Sequence, residues 1–200
     1  MYTVIGGPRT RAMRVLWMLE ELEQPYAHVP AAPRSAEALA ANPSGKVPSL
    51  LVDGETLTDS VAIVTYLADR HAAFTHPAGT LKRARQDAVT QFCVDEIEGA
   101  LWTAAKHSFI HPEELRVPEV KAACRAEFDA AMARLGAMVE GREFVAGDGF
   151  TVPDLLLGHC AGWAEAAKFD LPDGPAGAYL ARMRARPALA RAMRKATAAG

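Results

Sequence analysis

The segment Asn42-Pro43-Ser44-Gly45-Lys46-Val47-Pro48-Ser49-Leu50, running on to Asp59-Ser60, restricts this chain more than any other stretch. Asn42-Pro43 and Ser44-Gly45 are turn dipeptides that deliver the chain into a strand. Pro48 has no N–H for a sheet ladder, so it fits only the first residue of a strand or an edge. It opens the apolar run Ser49-Leu50-Leu51-Val52 through a tight turn, for which a cis peptide is available. The amide and carbonyl of Val47, just before the proline, are then free to pair with an extended ligand. Asp53-Gly54 reads as a hairpin turn, and Glu55-Thr56-Leu57-Thr58 as the returning strand. Asp59-Ser60 starts a helix with Ile63, Val64 and Leu67 on one face. Unpaired N–H groups at that helix start, with the Ser60 hydroxyl, make a receptor for a carboxylate. The whole stretch describes a backbone site for a peptide-like anion. Taken in halves, it is a hairpin and a capped helix with no ligand.

Around this segment the chain follows two grammars. Residues 1–74 alternate short strands and helices. Tyr2-Thr3-Val4-Ile5 is a strand broken by Gly6-Gly7-Pro8, and Thr10 to Leu22 carries Ala12, Val15, Leu16, Leu19 and Leu22 at helical spacing. Residues 26–29 read as a strand, Ser35 to Ala41 as a short helix, and Ser60 to about Arg70 as a longer one. Pattern alone supports an α/β unit with a mixed sheet. Residues 75–80 lose periodicity and read as a linker, and 81–200 are helical. Leu81 to His107 has no internal break apart from Gly99, and Pro118 to Glu140 is Ala-rich and amphipathic. The stretch 151–168 is apolar on most sides, Asp170 to Gly177 is loop, and Tyr179 to Ala198 is helix interrupted at Pro187. In Thr151-Val152-Pro153-Asp154, Thr151 is a helix cap, Asp154 reaches back to the cap amide, and Pro153 falls in the tolerant first turn.

Composition removes several classes of function. Two hundred residues, half of them hydrophobic, can bury a core as one large domain or two small ones. A formal charge of −2 gives no global bias toward nucleic acid or an anionic membrane. No apolar run approaches the ~18 residues of a membrane span, and the N-terminus lacks a signal-peptide pattern, so a cytoplasmic protein is expected. Cys93, Cys124 and Cys160 form an odd set with no Cys-x-x-Cys pair, which argues for reduced, separate thiols. His107 and His111 stand four apart without a third ligand nearby, so no metal is expected. The arginines at 182, 184, 186, 191 and 194, interleaved with Ala, Leu and Met, read as a solvated helix face.

Three segments, in order, resemble the cytosolic glutathione transferases. Residues 8–22, from Pro8-Arg9-Thr10-Arg11 to Leu22, look like that family's active-site loop and first helix. Asn42 to Ser60 looks like its glutathione-binding segment, and Phe144 to Asp154 like the capping segment of its helical domain. The resemblance implies an α/β thioredoxin-like N-terminal domain, an all-α C-terminal bundle, and a homodimer with two-fold symmetry. It implies glutathione as co-substrate with no further cofactor, and a small hydrophobic electrophile or a peroxide as second substrate.

In serine-type members the catalytic serine lies four residues before an arginine of the first helix. Thr10 stands four before Arg14, so Thr10 becomes the candidate thiol-activating hydroxyl, although its second branch restricts χ1. A plain helix-cap role for Thr10 stays equally open. The same resemblance assigns Val47, beside Pro48, to backbone pairing with the cysteinyl part of glutathione. It gives Asp59 and Ser60 to the γ-glutamyl amine and carboxylate, and Lys46 to the glycyl carboxylate. Trp102, Lys106 and Phe109 are expected to line the second-substrate pocket, with core packing as the competing account of both aromatics. No cysteine lies in the N-terminal loop, so cysteine chemistry is excluded there. The threonine keeps one alternative open: a non-catalytic binding protein that retains the fold.

Overall fold

The computed structural model describes residues 1–198. It divides into two compact units, one made of Met1–Pro77 together with the chain from Ala185, the other of Ala78–Arg184.

The first unit is built on a four-stranded sheet of β1 (Tyr2–Ile5), β2 (Tyr26–Val29), β3 (Ser49–Val52) and β4 (Glu55–Thr58), in the order β2-β1-β3-β4. Strands β1 and β2 are parallel, with Val4 opposite His28, which requires the crossover helix α1 (Ala12–Glu21) between them. β3 runs antiparallel to both neighbours, with Ile5 opposite Ser49 and Ser49 opposite Thr58. Asp53 (φ 53°) and Gly54 (φ 85°) supply the two positive φ angles of a tight hairpin turn. Helices α2 (Ala36–Ala41) and α3 (Ser60–Arg70) complete a thioredoxin-like α/β arrangement. Val4, Leu16, Leu19, Leu50, Ile63 and Leu67 are fully buried and form its core.

The last helix corrects the expected domain boundary. From sequence, 81–200 is a single helical domain, but α9 (Pro187–Ala198) packs on α1 and belongs to the first unit. The reason is electrostatic as well as apolar. Arg186 makes a bidentate pair with Glu21 at 2.6 and 2.9 Å. Arg191 reaches a Glu20 carboxylate oxygen at 3.1 Å and the Glu20 carbonyl at 2.8 Å, while Lys195 lies 2.5 Å from the same carboxylate. These arginines are therefore partnered, not merely solvated. Arg184, in the other unit, pairs with Glu165.

The second unit is helical throughout its regular structure. α4 (Leu81–Phe92) runs through a π-helical turn at Cys93–Glu98 into α5 (Gly99–Ala105), and a second π turn follows at Lys106–Ile110. The expected uninterrupted helix over 81–107 is thus re-registered twice. α6 (Val120–Val139), α7 (Val152–Ala166) and α8 (Pro175–Arg184) follow. α8 begins inside the segment expected to be loop, with Pro175 at a position where its missing N–H costs little. At the head of α7 the buried Asp154 carboxylate accepts from four donors. They are the Thr151 N–H and hydroxyl (both 2.8 Å), the Val145 N–H (3.0 Å) and the Tyr179 hydroxyl (2.7 Å). Burial first, and then the neighbouring carboxylate, push the Tyr179 phenol well above its ordinary value.

The thiols are not all separate. Cys93 and Cys160 bring their sulfurs to 3.9 Å in the core of this unit. Their spacing of 67 residues hides in sequence what the crossing of two helices brings together.

Candidate active site

The end of β1, the start of α1 and the Val47-Pro48 turn converge on Gly6. Its φ of +142° lies where side chains are strained, and a Cβ there would stand 2.8 Å from Ala12 Cβ and 3.1 Å from Val47 Cβ. Only glycine lets the loop, the helix and the turn approach this closely. The peptide between Val47 and Pro48 is cis. Among the described residues the Val47 N–H and carbonyl have no hydrogen-bonded partner, so both are available to an extended ligand.

Thr10 lies in the turn leading into α1. Its hydroxyl donates to the Gly7 carbonyl at 2.7 Å and accepts the Ala12 N–H at 3.1 Å. The hydroxyl thus satisfies a helix-start N–H, as a cap does, while its single proton rests on a loop carbonyl.

The start of α3 differs from the expected row of unpaired N–H groups. The Asp59 carboxylate already accepts from the Val61 and Ala62 N–H groups, at 2.9 and 3.1 Å, through one oxygen. Asp59 holds φ 69° and ψ 123°, a conformation that costs a non-glycine residue on the order of 1–3 kcal/mol. What remains for an anion is the Ser60 N–H and its hydroxyl. The hydroxyl is supported from behind: Arg14 Nη1 donates to Ser60 Oγ at 3.2 Å, and the Arg14 side chain is completely buried. A guanidinium can only donate, so Ser60 Oγ acts as acceptor toward Arg14 and keeps its proton for another partner. In sequence Arg14 is only the arginine four residues after Thr10. Its burial could not be separated from the nearby Arg9 and Arg11 by residue type.

Lys46 is exposed, and its carbonyl accepts from Asn42 at 3.1 Å. Pro48 is buried. The Tyr2 hydroxyl lies 2.9 Å from His71 Nε2, at the far end of α3.

In the helical unit, Trp102 stands edge-on to Trp163 with ring centroids 6.2 Å apart, so packing accounts for its place. Lys106 is half-buried at the head of the second π turn. Phe109, on that turn, is 67% exposed, which removes core packing as its explanation. His107 Nδ1 accepts the Val117 N–H at 3.0 Å and thereby ties down the following loop. Among the described residues no cluster of three or more metal-ligating side chains occurs, and no helix is long and apolar enough to cross a membrane.

The first unit thus combines a thioredoxin-like sheet with a hydroxyl at the α1 start, a cis-proline turn and a serine backed by Arg14 at the α3 start. Residues 10–76 match the glutathione S-transferase N-terminal domain family. The glutathione S-transferase GstB of Escherichia coli K12 is 33% identical over 161 residues, covering 74% of this chain and 75% of that protein. GstA of Escherichia coli O157:H7 is 29% identical over 152 residues, covering 74% and 72%. Among solved structures, a sphingomonad glutathione S-transferase complexed with glutathione superposes with a TM-score of 0.83 at 30% identity, covering 98% of each chain. The chain belongs to the glutathione S-transferase family.

Proposed function

We propose that the protein binds glutathione in the first unit and ionises its thiol for attack on a small hydrophobic electrophile or a peroxide. The observation that carries this reading is the Ser60 hydroxyl and N–H, backed by the buried Arg14, on a helix packed against the one that Thr10 begins. The α-carboxylate of glutathione would sit on Ser60, and its ammonium on the Asp59 oxygen that the helix start does not use. Val47, next to Pro48, would pair with the cysteinyl backbone, and Lys46 would meet the glycyl carboxylate.

The sulfur then faces the start of α1. A free thiol of pKa ~8.5 is only about 3% ionised at pH 7. Lowering it by roughly two units requires about 2.7 kcal/mol of preferential stabilisation of the thiolate. One hydrogen bond to a charged acceptor supplies ~1.5–3 kcal/mol, and a helix N-terminus adds ~0.3–1. Thr10 meets this need by turning its proton from the Gly7 carbonyl to the sulfur, while the Ala12 N–H continues to polarise its oxygen. Cap and catalyst are then successive uses of one hydroxyl. The thiolate displaces a leaving group from the electrophile. Trp102, Lys106 and Phe109 are proposed for the second substrate, with the exposure of Phe109 as their support. Family membership also supports a cytoplasmic homodimer, for which light scattering at micromolar protein should give twice the chain mass; monomer alone would contradict it.

Turnover tests the assignment of Thr10. With a generic aryl halide, Thr10→Val should lose roughly ten- to 150-fold in kcat at neutral pH, the equivalent of ~1.5–3 kcal/mol. Thr10→Ser should match or exceed the wild type. A Thr10→Val enzyme with unchanged kcat but lowered thermal stability would leave only the cap.

A further inference from the structure

His28, on β2, is absent from every sequence-based expectation, yet it touches the hub of the site. Its Nε2 lies 2.9 Å from the Gly6 carbonyl oxygen. A carbonyl only accepts, so Nε2 is the donor of this bond. Nδ1 is buried and, among the described residues, has no hydrogen-bonded partner. Leaving a polar atom dry in this way costs free energy. An apolar side chain would fill the same space at the sheet without that cost. What the imidazole adds is the bond to Gly6.

That bond falls where the loop is defined. β2 and its continuation take the Gly6 N–H on the Val29 carbonyl at 3.0 Å and the Gly7 N–H on the Ala31 carbonyl at 2.8 Å. His28 takes the Gly6 carbonyl, so both polar groups of the Gly6-Gly7 peptide are pinned to one strand. The next carbonyl, Gly7, is the one on which Thr10 rests its proton. Gly6 is also where the Val47 turn comes so near that a Cβ would stand 3.1 Å from Val47 Cβ. Displacing a reacting group by about 1 Å can cost on the order of a hundredfold in rate.

We infer that His28 is a positioning residue for thiol activation: through the Gly6 carbonyl it sets the Gly6–Thr10 loop so that the Thr10 hydroxyl meets the glutathione sulfur. The inference rests on the proposed function above. It assigns His28 no contact with substrate.

The test compares wild type, His28→Leu, His28→Gln and His28→Asn for glutathione affinity, kcat with an aryl halide, and the pH titration of bound thiolate by ultraviolet absorbance. In His28→Leu the thiol pKa should rise by about one unit, lowering kcat near neutral pH by up to roughly tenfold. Glutathione affinity should stay within about threefold, because Val47 and Ser60 are untouched. His28→Gln, whose amide can reach the Nε2 position, should restore most of the loss. His28→Asn, which reaches only the Nδ1 position, should not. If His28→Leu does not fold, the Gln-versus-Asn contrast decides alone, and equal activities would overturn the inference. So would a His28→Leu enzyme that is less stable but keeps the wild-type pH profile. A wild type that binds glutathione without forming thiolate would overturn the functional reading and this inference together, an outcome distinct from a change in the variants alone.

Discussion

At the scale of single residues, the site depends on how few donors remain after the protein has satisfied its own backbone. Asp59 consumes two N–H groups at the start of α3, which leaves the Ser60 N–H and the hydroxyl that accepts from Arg14 as the proposed anion contact. Ser60→Ala should therefore weaken glutathione binding by ~1 kcal/mol or more, about fivefold or greater. It should also lower thermal stability, since the buried Arg14 loses an acceptor. Isothermal calorimetry with unchanged affinity would remove Ser60 from the site. The local devices at Thr10, Val47-Pro48 and Asp59-Ser60 are legible in sequence because each is a short-range pattern: a helix start, a pre-proline residue, a cap. Arg14 and His28 are not, since their roles depend on burial and on partners 46 and 22 residues away.

Elements were legible where local grammar governs them and illegible where distant charges do. The hairpin at Asp53-Gly54 and the α7 start at Thr151–Asp154 are local devices, and they stand where turn and cap chemistry put them. The docking of α9 on α1 is a long-range event, and its arginines look like surface until Glu20 and Glu21 are known to face them. Glu20 is only 5% exposed. Burial by itself would raise its pKa, but hydrogen bonds from Lys195, Tyr26 and Arg191 outweigh that and hold it below the usual glutamate value of 4.5. Burial and the same Glu20 bond push the Tyr26 phenol up. A carboxylate whose folded pKa is depressed adds stability above its unfolded pKa and loses it as pH falls through the folded value. The α1–α9 tether should thus weaken on acidification below about pH 4.5. Glu20→Gln should cost ~1 kcal/mol at pH 7, given the partly exposed cations, and should flatten the acid limb. Thermal melts from about pH 7 to pH 3 check both, and parallel acid limbs in the two proteins would exclude Glu20 as the acid-sensitive group.

For the molecule as a whole, the change of grammar near residue 75 announced two kinds of structure, and the thioredoxin-like unit and the helical unit follow it. The unit that α9 joins is not legible in sequence, because helical periodicity names an element without naming its partner. Family membership supports glutathione as the ligand, and thiol ionisation is the chemistry proposed for it. That chemistry separates an enzyme from a protein that merely holds the same ligand, and it can be read without knowing the electrophile. The measurement is the ultraviolet pH titration of glutathione bound to the wild type and to Thr10→Val. Thiolate in the wild type should form with a pKa near 6.5, about two units below the free thiol, and return toward ~8.5 in the variant. Bound glutathione that titrates like free glutathione in both proteins would contradict the account.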